Sequence, residues 1–138
     1  MNVLVDTSIW SLALRRSSRQ RSKAERRLER ELASLITQAR VVLIGPIRQE
    51  ILSGVQSDVI FEQLRQYLEH FHDEVLTKDD YVEAARCYNL ARAAGITGSA
   101  VDVLICAAAV RRNLAVFTSD ADFDGYALHY PLRLHQPS

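Results

Sequence analysis

The sequence predicts an α/β domain with a central parallel β-sheet of about five strands and helices on both faces. Short apolar runs alternate with helical patterns along the chain, as expected where parallel strands are buried on both sides. The chain has 138 residues, 48% of them hydrophobic and 25% charged, which is typical of one globular domain. No repeat, low-complexity tract or linker divides it, so residues 1–138 are interpreted as a single domain.

The first half of the chain is predicted to contain two strands and four helices. Val3–Val5 and Val41–Gly45 are apolar runs that predict buried strands. Thr7 or Ser8 is expected near the N-cap of the first helix. Apolar residues at three- and four-residue spacing predict the amphipathic helices. The predicted helices are Thr7–Arg16, Ser22–Gln38, one that begins at Pro46 in its favoured first position, and Asp58–Phe71.

The second half continues the alternation. Residues 73–76 (DEVL) are predicted to form a short third strand, and Thr77 with Asp80 resembles a capping box that opens a helix ending at Gly95. The almost wholly apolar residues 98–112 predict a buried helix. The fourth and fifth strands are predicted at Leu114–Thr118 and Tyr126–Tyr130, separated by the acidic turn SDADFDG.

The charge of the chain is balanced overall but unevenly distributed. Lysine plus arginine and aspartate plus glutamate number 17 each, yet residues 15–30 hold eight basic residues and two acidic ones. This arginine-rich helical segment, at about residues 15–38, is either a solvated helix face or an electrostatic hold on a nucleic-acid backbone. On the second interpretation the RNA-binding residues are Arg15, Arg16, Arg19, Arg21, Lys23 and Arg26.

Two features bear on the compartment. Cys87 and Cys106 belong to no paired-cysteine motif, which predicts buried free thiols in a reducing environment. No apolar run approaches the ~20 residues that span a bilayer, and the N-terminus lacks the order of a signal peptide. We therefore expect a cytoplasmic protein that does not contact a membrane.

Four carboxylates are predicted to meet at one edge of the sheet. Asp6 directly follows the first strand, and Asp120 lies two residues beyond the fourth. Glu50 lies one turn into the helix after the second strand, and Asp102 lies near the start of the buried helix. Ligands of such sheets bind beyond the carboxyl ends of the strands. Because residues 96–110 contain no other acidic or basic side chain, Asp102 most needs a partner.

A divalent cation would resolve the cost of this arrangement. An unpaired buried carboxylate is unfavourable, and four together repel one another. Mg²⁺ and Mn²⁺ prefer oxygen ligands and bridge carboxylates to phosphate. The pattern therefore predicts metal-assisted hydrolysis of a phosphodiester. Four hydroxyl residues either orient the carboxylates and metal-bound waters or cap helices: Thr7, Ser8, Thr118 and Ser119.

Each acid also has a simpler interpretation. Asp6 could cap the first helix, and Asp102 could be the third residue of a capping box begun by Ser99. Glu50 could be an ordinary surface residue, and the acids of the SDADFDG turn could be solvated. His70 and His72 are interpreted as surface histidines, because a zinc site needs more nitrogen or sulfur ligands. Together the simpler interpretations do not explain why four separate acids map to one edge.

Four motifs, in this order, resemble the PIN-domain family, and most closely the VapC-type toxin ribonucleases of type II toxin–antitoxin systems. They are VLVDTSIW, PIRQEILSG, SAVDVLICAAAV and VFTSDADF. The resemblance spans nearly the whole chain; no single motif is specific, whereas the combination is. It implies a PIN-like sheet and Mg²⁺-dependent endonucleolytic cleavage of RNA, such as a transfer RNA, with Mn²⁺ as a substitute.

The resemblance also implies a site and partners. The family's acidic quartet falls on Asp6, Glu50, Asp102 and Asp120; Asp122 matches an additional acid, and Thr7 and Thr118 match neighbouring polar positions. It implies a homodimer and a cognate antitoxin that neutralises the toxin, with operator DNA bound only through that antitoxin. The arginine-rich segment departs from the family pattern, since it is longer and more basic than the resemblance leads us to expect.

Two other functions remain open at this level. A haloacid-dehalogenase-like phosphohydrolase also places an aspartate after its first strand, but it expects a second acid where this chain has Ser8. A non-catalytic PIN-like module that only binds RNA or a protein partner is the other alternative. The intact acidic quartet disfavours it, because loss of at least one acid would mark a degenerate site.

Overall fold

The computed structural model describes residues 1–14 and 21–138 and contains one parallel sheet. Its strands are β1 (Val3–Val5), β2 (Val41–Ile44), β3 (His72–Glu74) and β4 (Ala115–Phe117). They lie in the order β3-β2-β1-β4, and every pair is parallel. The predicted α/β class with a parallel sheet is confirmed. The number of strands is four within the described residues, not about five.

Seven helices are described around this sheet. They are α1 (Thr7–Leu14), α2 (Lys23–Thr37), α3 (Gly45–Leu52), α4 (Asp58–Leu68), α5 (Lys78–Ala93), α6 (Ala100–Arg111) and α7 (Asp122–His129). The contacts divide them into two groups: α1 packs on α2 and α3, which contacts α4, whereas α5 packs on α6 and α7. This division is what helices on the two faces of the sheet would give.

The predicted fifth strand at Tyr126–Tyr130 is wrong, because these residues belong to α7 and its C-terminal end. The buried side chains are Phe123, Tyr126 and Tyr130, and their spacing of three and four places them on one face of a helix. A five-residue apolar run does not distinguish a strand from a buried helix. Asp122 and Asp124 in the first turn of α7 complement the positive end of the helix dipole.

The starts of the helices near the sheet follow local signals, with one difference from the prediction. The main-chain oxygen of Asp6 accepts from Ile9 N at 3.0 Å, so Asp6 occupies the N-cap position of α1. Thr7, the first residue of α1, lies next to this position as predicted, and the simpler interpretation of Asp6 as the cap of the first helix is confirmed. Helix α3 begins at Gly45, which makes Pro46 its second residue. The end predicted for the first helix, at Arg16, falls outside the described residues.

The core and the cysteines agree with the sequence. The residues of α6 from 103 to 109 are all buried, which confirms the predicted internal helix. Cys87 and Cys106 are buried and free, as predicted. Among the helices of the described segments, none has the length and apolarity needed to cross a bilayer.

Candidate active site

Strand register brings the first and last predicted acids to the same edge. In the parallel pair β1–β4, Val5 lies opposite Phe117, so both strands end at the same level. Asp6 N donates to the main-chain oxygen of Phe117 at 2.9 Å. The residues that follow, Asp6 on one strand and Thr118 on the other, are therefore neighbours at the carboxyl end of the sheet, as the sequence predicts.

Two hydroxyl groups fix the Asp6 carboxylate. Ser8 Oγ and Thr118 Oγ1 each donate to Asp6 Oδ2 at 2.8 Å. The same two hydroxyl oxygens accept from backbone N–H groups, Ser8 Oγ from Ser119 at 3.0 Å and Thr118 Oγ1 from Asp120 at 3.0 Å. Each hydroxyl thus uses its donor on Asp6 and its acceptor on the loop after β4. This network ties the position of Asp120 to the position of Asp6.

Three carboxylates converge beside this network. Asp102, Asp120 and Asp122 each offer an oxygen, and these oxygens all lie within 4.8 Å of one another. Asp102 is half-buried, whereas Asp120 and Asp122 are exposed. Asp122 N donates to Asp120 Oδ1 at 2.9 Å, which orients the second acid of the three. We call these three residues the acidic trio.

The pKa of Asp102 is raised by its surroundings. Burial raises the pKa of Asp102, and the hydrogen bonds from Tyr126 and Ser99 lower it only in part. The negative charges of Asp6 and Asp120 raise it further. Because the charges of Asp6 and Asp120 both raise the pKa of Asp102, Asp6 lies close enough to act electrostatically on the trio, although it is not one of the three acids whose oxygens lie within 4.8 Å of one another.

Glu50 is brought to the rim of this site. Its side chain is exposed, and its Oε1 accepts from Thr7 Oγ1 at 2.7 Å. Thr7 directly follows Asp6, so this hydrogen bond holds Glu50 of α3 close to the Asp6 end of the site. Glu50 is not part of the acidic trio. Of the four predicted hydroxyl residues, Thr7 therefore holds Glu50, whereas Ser8 and Thr118 hold Asp6.

No arginine, lysine or histidine of residues 1–14 and 21–138 forms an ion pair with Asp6, Glu50 or the acidic trio. The contrast with the other buried carboxylates is informative. Asp80 is 0% exposed and Glu31 9% exposed, and they are paired with Arg111 and Arg112 and with His135, respectively. Asp6, at 6% exposed, has only hydroxyl and amide partners among the described side chains and backbone groups. Buried charge without a counter-charge is unfavourable, which marks this edge as a place for an external cation.

Tyr126 is a site residue that sequence reasoning missed. Its buried hydroxyl donates to Asp102 Oδ2 at 3.1 Å, so the carboxylate of Asp102 is held from α7. The bond joins residues 24 apart in the chain. One signal was available: residues 122–129 interpreted as a helix place Asp122 and Tyr126 one turn apart on the same face. Because a strand was predicted at residues 126–130, this helical spacing was not considered.

The donor set fits a hard divalent cation. The trio and its neighbours offer only carboxylate and hydroxyl oxygens, which suit Mg²⁺ or Mn²⁺ and lack the nitrogen and sulfur ligands that zinc prefers. His70 and His72 are exposed, and their rings bond to Tyr67 O at 3.0 Å and to Glu74 at 3.1 Å. The interpretation of these two as surface histidines is confirmed.

The predicted RNA-binding residues differ in their surroundings. Arg15, Arg16 and Arg19 lie outside the described residues. Arg21 is engaged by Glu29 at 3.0 Å and donates to Leu12 O at 3.1 Å. Lys23 and Arg26 are exposed on α2.

The family model for the PIN domain matches residues 3–128. The chain belongs to the PIN-domain family. The four-stranded parallel sheet is thus that of a PIN domain. No curated protein sequence matches the chain.

Solved structures share the fold of this PIN domain over almost its whole length. FitAcB from Neisseria gonorrhoeae superposes with a TM-score of 0.74 at 22% identity and covers 98% of this chain and 97% of its own. VapBC2 from Rickettsia felis, bound to a DNA fragment from its promoter, gives 0.74 at 13% identity, with 98% of both chains covered. VapBC-1 from nontypeable Haemophilus influenzae gives 0.73 at 15% identity, covering 99% and 98%. At these identities the likeness shows a common fold.

Proposed function

We propose that this PIN domain is a metal-dependent endoribonuclease and the VapC-type toxin of a toxin–antitoxin pair. The observation that carries the proposal is the acidic trio, three carboxylates within 4.8 Å that have no cationic partner among the described residues. Membership of the PIN-domain family supports a nuclease. The fold shared with VapBC complexes, and with a toxin–antitoxin complex from Klebsiella pneumoniae, supports the assignment as a toxin.

Each acid has a proposed role. Asp102 and Asp120, with Asp6, hold Mg²⁺, for which Mn²⁺ can substitute, and Asp122 adds a further oxygen from the trio. Glu50 is a metal ligand or orients the attacking water, and Thr7 fixes its carboxylate. Ser8, Thr118 and the Ser119 backbone keep Asp6 and the Asp120 loop in register. A bound divalent cation lowers the pKa of a coordinated water and stabilises charge on the phosphate oxygens.

The partners follow from the same assignment. We propose structured RNA, such as a transfer RNA, as substrate, a cognate antitoxin as inhibitor, and a homodimer as the assembled form. Contact with promoter DNA is assigned to the antitoxin. Three DNA-bound complexes share this fold: FitAB, VapBC2 from Rickettsia felis and VapBC from Salmonella typhimurium. They support the proposal that an antitoxin binds this chain and contacts promoter DNA.

The test is cleavage of structured RNA by the purified protein and by an Asp6→Asn variant, each with Mg²⁺, with Mn²⁺ and with a chelator. We expect cleavage by the wild type with either metal, none with chelator, and at least about 100-fold slower cleavage by the variant, since several kcal/mol of transition-state stabilisation would be lost. The variant, purified identically, controls for contaminating nucleases.

Three outcomes would contradict the proposal. Equal cleavage by both proteins would show that the site does not perform the reaction. Hydrolysis of a small phosphate ester without RNA cleavage would favour the dehalogenase-like phosphohydrolase. Metal-independent RNA binding without cleavage by either protein would favour a non-catalytic module.

A further inference from the structure

Helix α2 carries four exposed basic residues on one face, which we call the basic stripe: Lys23, Arg26, Arg27 and Arg30. Their spacing of three, four and seven residues places them on one side of the helix. The opposite side packs Leu32 and Leu35 into the core. The four side chains alone line a cavity of about 500 Å³. The stripe is therefore a continuous surface lined by basic residues.

The acids of α2 do not neutralise the basic stripe. Glu29 pairs with Arg21 at 3.0 Å, and Glu31 pairs with His135 at 2.6 Å. Glu25 accepts from Ser22 N at 2.9 Å in the capping box that opens the helix. Within the described part of the chain, no carboxylate forms an ion pair with the four stripe residues. Their positive charge faces solvent and is available to an anionic partner.

One cavity is lined both by a neighbour of the basic stripe and by a member of the acidic trio. Arg27 donates to the main-chain oxygen of Pro137 at 3.0 Å. Pro137 and Leu28, the residue after Arg27, line a cavity of about 270 Å³ together with Ser119 and Asp120. The Arg27–Pro137 bond and the shared lining therefore place the stripe next to the cavity at the candidate catalytic loop.

We infer that the basic stripe binds the sugar–phosphate backbone of the RNA substrate on one side of the bond that is cut. This inference rests on the proposed ribonuclease function. Arginine forks match phosphate oxygens, and the stripe is about 10 Å long, enough to face about three phosphates of one strand. An acidic protein segment is disfavoured as occupant, because no aromatic or aliphatic residue of the described chain lines the cavity, whereas such residues form the core of protein interfaces.

The test compares Arg26→Gln/Arg30→Gln with a control, Lys78→Gln/Arg92→Gln, which removes two exposed charges from α5. All are made in an Asp120→Asn background so that RNA is bound without being cut. Binding of a single-stranded RNA is measured by fluorescence anisotropy between about 50 and 200 mM salt. We expect the stripe variant to bind about 25-fold more weakly at about 0.1 M salt, with a salt slope shallower by about 1.4, since each phosphate contact contributes about 0.7. The control should match the background protein.

Several outcomes would overturn the inference. If the stripe variant and the control bind RNA with equal affinity and equal salt dependence, the stripe does not bind the RNA backbone. Weaker binding of an oligoglutamate peptide, with RNA binding unchanged, would assign the stripe to an acidic protein partner instead. Unfolding midpoints measured on the same samples identify any loss caused by misfolding, and Arg26→Lys/Arg30→Lys, which keeps the charge, should restore the slope.

Failure of the inference can be separated from failure of the proposed function. Cleavage is measured in parallel with the native acidic trio, Mg²⁺ and saturating protein. If the stripe variant cleaves at the wild-type rate and its salt slope is unchanged, the stripe does not bind RNA, but the proposed ribonuclease function stands. If the wild type cleaves no RNA with any metal, the proposed ribonuclease function is wrong, and the inference about the stripe fails with it.

Discussion

An Asp102→Asn variant should cleave RNA about 10³-fold more slowly than the wild type while folding at least as stably. Asp102 is the half-buried member of the acidic trio and is held by Tyr126. Loss of its charge removes a metal-binding oxygen, and several kcal/mol of lost transition-state stabilisation corresponds to this factor. The measurement is the single-turnover cleavage rate at saturating Mg²⁺.

The stability of the same variant follows from the raised pKa of Asp102, caused first by burial. A carboxyl whose folded pKa is raised makes the metal-free protein less stable as pH rises from its ordinary pKa of about 3.9 through the folded value. Asp102→Asn does not lose stability in this way, so its free energy of unfolding should exceed that of the wild type at pH values above the folded pKa of Asp102. Asparagine retains an oxygen that can accept from Tyr126 Oη. Urea unfolding without metal, at about pH 4, close to the ordinary pKa of a carboxyl, and at about pH 7, well above it, measures the difference.

A matched control separates the site from the helix. Asp58 also lies in the first turn of a helix with a serine N-cap, Ser57, but it is exposed and far from the trio in the chain. Asp58→Asn should cleave at the wild-type rate. Cleavage by Asp102→Asn within tenfold of the wild type, or an equal loss in the control, would contradict the role given to Asp102.

Asp80→Asn should reduce the free energy of unfolding by about 3 kcal/mol, the range found when one partner of a buried ion pair is removed. Asp80 Oδ1 accepts from Arg111 and Arg112, both at 2.7 Å, and Oδ2 accepts from Arg112 at 2.8 Å and from Thr77 N at 2.7 Å. This side chain fastens the start of α5 to the end of α6. Denaturant unfolding near neutral pH measures the change.

The contribution of Asp80 should depend on pH in a defined direction. Hydrogen bonding to Arg112, with the backbone of Thr77 and with Arg111, holds the pKa of Asp80 well below its usual range. A lowered folded pKa gives stability that is present above the ordinary value of about 3.9 and lost as pH falls below it. The difference between wild type and Asp80→Asn should therefore shrink on acidification.

Asp79 offers the control for this pair. It neighbours Asp80, but its carboxylate is exposed and lies 4.0 Å from Arg111. Asp79→Asn should change the free energy of unfolding by less than about 0.5 kcal/mol, as exposed pairs do. A loss in Asp80→Asn no larger than this, or one that grows toward acidic pH, would contradict the assignment.

The convergence of Asp6 and Asp120 could be predicted from the sequence because it depends only on topology. Parallel strands end at one edge, so a residue that follows β1 and one that follows β4 are brought together without knowledge of side-chain packing. Free thiols at Cys87 and Cys106 followed from their apolar contexts in the same way. Such predictions need only the order of elements and the local hydrophobic pattern.

The partners of Asp102 could not be predicted in this way. Its hydrogen bond with Tyr126 depends on how α6 and α7 pack, and the apolar run around Tyr126 fits a strand and a buried helix equally well. Glu50 is another case: the sequence places it one turn into the helix after β2, but only the structure pairs it with Thr7. Long-range side-chain contacts are set by packing, which periodicity does not report.

The most direct test of the acidic edge is a Mn²⁺-soaked crystal examined by anomalous diffraction. We expect one strong peak bonded to oxygens of Asp102 and Asp120, at the distance of about 2.0–2.6 Å that hard cations keep from carboxylates, and abolished by excess Mg²⁺. A peak found only elsewhere, or the trio instead holding a lysine or arginine side chain, would contradict the claim that these carboxylates form a cation site.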